Sequence, residues 1–196
     1  MAASQYFTQV QQIYIAYYQR PADPAGMLYW ATAIDAAGGN LNAVINAFAN
    51  SAESQALYGT INSATIGAVV DSIYLAMFNR LPEPAGKKFY VDAFNSGALT
   101  AGQIAYAIEV GATGTDAQAI GNKIATSNDF TQQVDGHSFS SASFGVGPFA
   151  ATYSGATDAA AARTFLAGVQ WELSTVPTSA ERTEMPDAVC ADADEA

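Results

Sequence analysis

Positive charge, cysteine and histidine are all scarce in this chain. Seven Lys and Arg stand against 18 Asp and Glu, a formal net charge of −11. A surface of that sign repels phosphate backbones and anionic lipid headgroups, which argues against nucleic acid and anionic membranes as partners. One cysteine, Cys190, excludes an intrachain disulfide and a cysteine metal cluster, and its acidic neighbours disfavour the thiolate that a nucleophile needs. The one histidine, His137, has no second histidine for a metal site and no serine or cysteine partner at a readable spacing. No phosphate loop, dinucleotide fingerprint or paired-histidine metal motif is present, so no enzyme is legible. No apolar run approaches the length of a bilayer span, which predicts no membrane insertion. The first residues lack the basic region and apolar stretch of a secretory signal, which predicts either the cytoplasm or export by a route that reads no N-terminal signal. Alternating runs long enough for a sheet are missing too, and the expected class is all-α.

What is present is apolar and repetitive. Half the residues are hydrophobic, enough in 196 residues to bury a core of ordinary size. Ile13, Tyr14, Ala16, Arg20, Pro24, Ala25 and Gly26 recur sixty positions later as Ile73, Tyr74, Ala76, Arg80, Pro84, Ala85 and Gly86. Between them Tyr18 becomes Phe78, Gln19 becomes Asn79 and Asp23 becomes Glu83. A duplicated unit is expected, each copy holding a helix end, a turn and a helix start.

Apolar spacing places the helices. Tyr6, Val10, Ile13, Tyr14 and Tyr17 share one face of a helix over about Gln5 to Gln19, which Pro21 is expected to end. Asp23 before Pro24 predicts a capped helix start that buries Met27, Trp30 and Ile34 and stops at Gly38-Gly39. A third helix follows Asn40 and carries Leu41, Val44, Ile45 and Phe48, and a short fourth piece runs from Ala52 to Tyr58. The second copy repeats this from Ser63 through Glu83-Pro84, with Tyr90 and Phe94 standing where Trp30 and Ile34 stood. Capping-box spacings are expected to open helices at Thr100/Gln103 and Thr115/Gln118. Residues 1–130 therefore read as one duplicated, bundle-like domain with repeats at about 6–59 and 63–130. Residues 131–176 read as an irregular segment, with one short helix around Ser141 to Tyr153, followed by an alanine-rich helix begun by Thr157-Asp158. Residues 177–196 read as an acidic, disordered tail, and Glu181 to Ala196 carries six acids against Arg182.

The repeated polar residues have a structural and a functional reading. Arg20 and Arg80 suit the negative end of a helix dipole, with a bound carboxylate or sulfated sugar as the alternative. Asp23 and Glu83 suit helix caps, with calcium ligation or acid catalysis as the alternative. In both cases the structural reading is favoured, because helix ends need such partners in any fold. Helical spacing likewise favours core packing for the aromatic series Tyr14, Tyr17, Trp30, Tyr74 and Tyr90 over sugar stacking. Tyr18 and Tyr29 fall off the main apolar faces and are the exposed candidates for a ligand. The turn Gly111-Ala-Thr-Gly-Thr-Asp116 offers one candidate calcium ligand, Asp116.

The pattern Tyr-x-x-x-x-x-Arg-x-x-(Asp/Glu)-Pro-Ala-Gly followed by an aromatic pair, Tyr29-Trp30 and Phe89-Tyr90, resembles the domain-of-unknown-function family 4214. Ser127-Asn-Asp-Phe130 and the alanine-rich stretch Thr157 to Val169 are similar to that family's closing segments, so the likeness extends over about residues 5–170. A more distant likeness to phycobilisome linker domains rests on the same turn. The first copy departs from the pattern with Pro21 one position early, and the second with Lys87 and Lys88 for Met27 and Leu28. The resemblance implies a helical, non-enzymatic bacterial protein, exported by type I secretion to the cell surface and related to S-layer proteins. Self-assembly or surface polysaccharide is the implied partner, and the acidic tail is the place for an uncleaved secretion signal. An intracellular scaffold docking to one protein partner, and a calcium-dependent adhesion module around Asp116, are the alternatives.

Overall fold

A computed structural model describes residues 3–134 and 159–169. The expected helix around Ser141 to Tyr153, His137, Cys190 and the acidic tail lie outside the described residues. Within them the fold is all-α. A 3₁₀ turn, Ala3–Tyr6, leads into α1, Phe7–Tyr18; α2 (Pro24–Ala36), α3 (Asn42–Ala49) and α4 (Ala52–Tyr58) complete the first copy. The second copy is α5 (Ile66–Phe78), α6 (Pro84–Asn95), α7 (Ala101–Val110) and α8 (Gly114–Val134), and α9 (Ala159–Ala167) follows.

Helix α1 is the hub. Val10, Gln11, Ile13 and Ala16 are fully buried, and Ile15 and Tyr17 nearly so, which leaves little of the helix on the surface. It packs on α2, α3 and α4 of its own copy and also on α5, α7 and α8 of the second. The counterpart α5 touches α6, α7 and α8 as α1 touches α2, α3 and α4. Equivalent contacts thus recur in each copy, yet one continuous core runs from Phe7 through Phe48, Ile73 and Ile108 to Leu166 and Val169. Burying each such side chain contributes roughly 1.5–3 kcal/mol, and because α7 and α8 supply the cover for α1, that gain is shared between the copies.

Several local expectations change. The first helix of each copy ends at Tyr18 and at Phe78, although residue 81 is Leu where residue 21 is Pro. Proline is therefore not the terminator. Gln19 and Asn79 take left-handed backbone at φ 57° and 56°, and each returns its N–H to the carbonyl four residues back, closing the helix from within. The Thr100/Gln103 capping box forms, with the Thr100 N–H donating to Gln103 Oε1 at 3.0 Å. The Thr115/Gln118 pair does not open a helix, because α8 has already started at Gly114. That helix also continues past Phe130 to Val134, into the stretch expected to be irregular.

Candidate functional site

The two repeated turns are built alike around an arginine fork. In the first, Arg20 donates from Nε to Glu53 Oε1 at 2.8 Å and from Nη2 to Glu53 Oε2 at 3.1 Å, while Nη1 reaches the Pro21 carbonyl at 3.2 Å. In the second, Arg80 donates from Nε and Nη2 to the two oxygens of Asp116 at 3.0 and 2.6 Å, while Nη1 reaches the Leu81 carbonyl at 3.0 Å. Glu53 and Asp116 both stand in the first turn of the fourth helix of their copy. A planar guanidinium thus clamps the end of the first helix to the start of the fourth by the bidentate geometry that arginine favours. Each guanidinium also lies over a tyrosine ring, 5.1 Å from the Tyr14 centroid and 5.5 Å from that of Tyr74. Neither acid is evident in the sequence, because they follow their arginines by 33 and 36 positions and differ in type.

The acids of the turn part ways. Asp23 caps α2, with Oδ1 accepting from the Gly26 N–H at 2.7 Å, and its Oδ2 accepts from the Tyr14 hydroxyl at 3.3 Å. Burial pushes that phenol's pKa up, and the neighbouring Asp23 charge adds to the shift. Glu83 makes no side-chain cap; its carboxylate accepts from Arg80 Nη1 at 2.8 Å instead. Its own backbone N–H, and then Arg80, hold its carboxyl below the usual range. Pro24 and Pro84 occupy the first helical turn as expected. The glycines differ in a way that sequence hides. A Cβ at Gly26 would stand 2.0 Å from the Tyr14 hydroxyl, whereas one at Gly86 would meet nothing closer than the Tyr74 hydroxyl at 3.6 Å.

What surrounds the turns differs more. At the first, Gln11 Nε2 donates to Thr131 Oγ1 and Gln11 Oε1 accepts from the Ala22 N–H, both at 2.8 Å, while Thr131 Oγ1 lies 2.8 Å from the Ala22 carbonyl. The far end of α8 thereby satisfies the backbone of a buried turn in the other copy. Arg163 of α9 adds a third partner to the clamp, donating from Nη1 to Glu53 Oε1 at 2.8 Å and to the Tyr18 carbonyl at 3.4 Å. In the second turn Pro82 replaces Ala22, so no N–H needs a partner. Asp71 stands in place of Gln11 and pairs with Lys87 at 2.5 Å, the lysine replacing buried Met27. The three replacements form one set, converting a sealed turn into a solvated one.

Tyr18, expected to be exposed, is half buried. It stacks on Phe48 with centroids 4.5 Å apart, and Arg20 lies 5.2 Å from its ring centre. Tyr29 is 65 % exposed and meets Trp30 edge-on, while Trp30 packs inward against Phe48 at 5.2 Å. In the second copy Phe89 is exposed and Tyr90 buried, so each aromatic pair sends one ring out and one in. Asp116, the candidate calcium ligand, has both oxygens on Arg80, and no group of three His, Cys, Asp or Glu suited to a metal comes together among the described residues. A cavity of about 400 Å³ opens where α3 ends, beside α4 and the start of α7. Asn50, Gln55, Ser54 and Thr60 line it with amides and hydroxyls and Tyr58, whose hydroxyl donates inward to the Ala16 carbonyl, adds an aromatic wall; among the described residues no lining side chain carries a charge.

Residues 46–111 match the family model of the domain of unknown function DUF4214. That stretch, about a third of the chain, is similar to DUF4214 domains. The matched DUF4214 stretch is narrower than the likeness over residues 5–170; it runs from α3 to the end of α7 and contains the second turn whole, leaving the first outside. The copy with solvated Pro82 and Lys87 is thus the one that the DUF4214 pattern covers. No curated protein and no solved structure matches the chain. No helix among the described residues is long and apolar enough to cross a membrane.

Proposed function

We propose that this protein is a non-enzymatic bacterial surface protein of the S-layer type, exported by type I secretion, whose chains assemble with one another or attach to cell-surface polysaccharide. The observation that supports assembly is the division of labour among side chains. The charged groups of both turns are spent holding helices together, while large apolar side chains, Leu28, Tyr29, Leu75, Leu81, Phe89 and Val110, are left exposed. Attachment to polysaccharide is favoured by the cavity beside α4, since uncharged amides and hydroxyls with one aromatic wall suit the hydroxyl groups of a neutral sugar. Antibody labelling of intact cells of the producing organism, with blots of cytosol, surface wash and medium, tests the location. Label on intact cells or protein in the wash is expected, and protein confined to the cytosol would overturn the reading. Glycan-array binding that is lost in Gln55→Ala but retained in Tyr29→Ala would favour the cavity as the attachment point.

A further inference from the structure

One buried acid of the second copy has no equivalent in the first. Glu109 shares the face of α7 that carries Ala105 and Ile108 into the core, and it is 2 % exposed. Neither of its carboxylate oxygens has a hydrogen-bond partner among the described residues. The residue sixty positions earlier is Ala49, so the repeated packing does not require an acid there. An unpartnered buried carboxyl calls for another explanation.

Its surroundings offer phenols and no cation. Helix α7 packs on α1 and α3 of the first copy and on α5 and α6 of its own. From α1 comes Tyr17, whose hydroxyl donates to the Gly102 carbonyl, and from α4 Tyr58, whose hydroxyl donates to the Ala16 carbonyl. Tyr106 of α7 completes the group, and a charge on Glu109 pushes the pKa of all three phenols up. Helix α3 bears no titratable side chain. The charges of α5 and α6 are paired, Asp71 with Lys87 and Lys88 with Asp92, both at 2.5 Å, and Tyr74 and Tyr90 meet each other at 6.5 Å between ring centres. Burial alone therefore governs the carboxyl, and it favours the uncharged form.

The way out to water is short. Glu109 stands in the last turn of α7, Val110 beside it is 55 % exposed, and Gly111 after it is exposed. A negative charge in that turn also opposes the helix dipole, whose partial charge at this end is negative. Ionisation in place thus meets desolvation, a missing partner and the dipole together, and unwinding one turn relieves all three. We infer that Glu109 is a proton-operated pin in the seam between the copies: uncharged, it lets the last turn of α7 close on α1, and charged, it unwinds that turn into water while the other helices stay closed.

Hydrogen exchange of the full chain, followed by mass spectrometry from pH 5 to 8, tests this against Glu109→Gln. Wild type and variant are compared at each pH, so that the general acceleration of exchange with pH cancels. The ratio of wild-type to variant exchange in the last turn of α7 is expected to rise by up to about tenfold per pH unit, the limit for one proton released on opening. The same ratio in α2 and α8 is expected to stay level. A level ratio in α7 as well would overturn the pin. A ratio that rises equally in every helix would mean that ionisation loosens the whole fold, which overturns the local opening. Melting temperatures of the two proteins that diverge with pH while α7 exchange stays level would mean that the charge is accommodated in place, which overturns it too. Glu109→Ala, matching Ala49 of the first copy, is expected to behave as Glu109→Gln and serves where the glutamine variant does not fold.

Discussion

Single residues carry different burdens at equivalent places. Gly26 and Gly86 hold the same position in the same motif, but the Tyr14 hydroxyl occupies the space of a Cβ at Gly26 and leaves room at Gly86. Gly86→Ala is expected to raise stability by about 0.5–1 kcal/mol through helix propensity, and Gly26→Ala to lower it by roughly 1–3 kcal/mol through overpacking and loss of the Tyr14–Asp23 bond. Urea unfolding of the two variants checks this, and equal effects would refute the packing difference. Glu109 on α7 is a second case. It is 2 % exposed, neither carboxylate oxygen has a hydrogen-bond partner among the described residues, and burial raises its pKa well above the usual carboxylate range. A carboxyl whose pKa is higher folded than unfolded gives up stability as pH rises from the unfolded value of about 4.3 through the folded one. Glu109→Gln is expected to melt higher at pH 7 and to remove this decline, measured as the difference between wild-type and variant melting temperatures from pH 4.5 to 8. A difference that does not change with pH would sink it. Neither residue was distinguishable in sequence, where both glycines sit in one motif and Glu109 is an acid on a helix.

At the level of elements, the arginine fork decides how four helices close into a copy. Arg20 is 3 % exposed and pairs with Glu53 at 2.8 Å and Asp23 at 3.7 Å, while Arg163 of α9 shares Glu53, so losing Glu53 leaves a buried guanidinium with the more distant of its two acids and removes one tie to α9. Glu53→Ala is expected to cost about 3 kcal/mol, the low end of the range for removing one partner of a buried ion pair, because Asp23 remains beside Arg20. Asp116→Ala is expected to cost much less, since the Arg80 side chain is 37 % exposed and keeps Glu83. Hydrogen exchange should show faster exchange across α9 in the first variant and not in the second; comparable losses in both would mean that burial does not separate the two clamps. Helix starts were legible here because caps are local: Asp23-Pro24 and Thr100 with Gln103 both act within four residues. The clamps were not, because an acid more than thirty positions away is found only when two helix ends meet in space. Tyr18 was misjudged for the same reason, since its ring is covered by Phe48, thirty positions further on, and by Arg20 of the folded turn.

For the whole molecule, the two copies share a core, with α7 and α8 of the second packed on α1 of the first. Residues 1–62 alone would expose Ile13, Ile15 and Tyr17 to water, so that fragment is expected to show no cooperative thermal transition, while residues 1–169 melt in one step. A cooperative transition in the short fragment, followed by circular dichroism, would mean that each copy folds alone. Among the described residues the sequence by itself determined the all-α class, the recurrence of one turn sixty positions on, and most helix spans to within a few residues, because each depends on apolar period, proline, glycine or a neighbour one turn away. Tertiary structure alone decided that α1 is the hub, that the first turn is sealed by Gln11, Thr131 and Arg163, and that the second stands open with Pro82 and Asp71–Lys87. The physical reason is that burial belongs to a pair of surfaces. Two stretches that share half their residues acquire different environments when the first is bonded to Thr131 near the end of α8 and to Arg163 of α9, and the second to Asp116 at the start of α8.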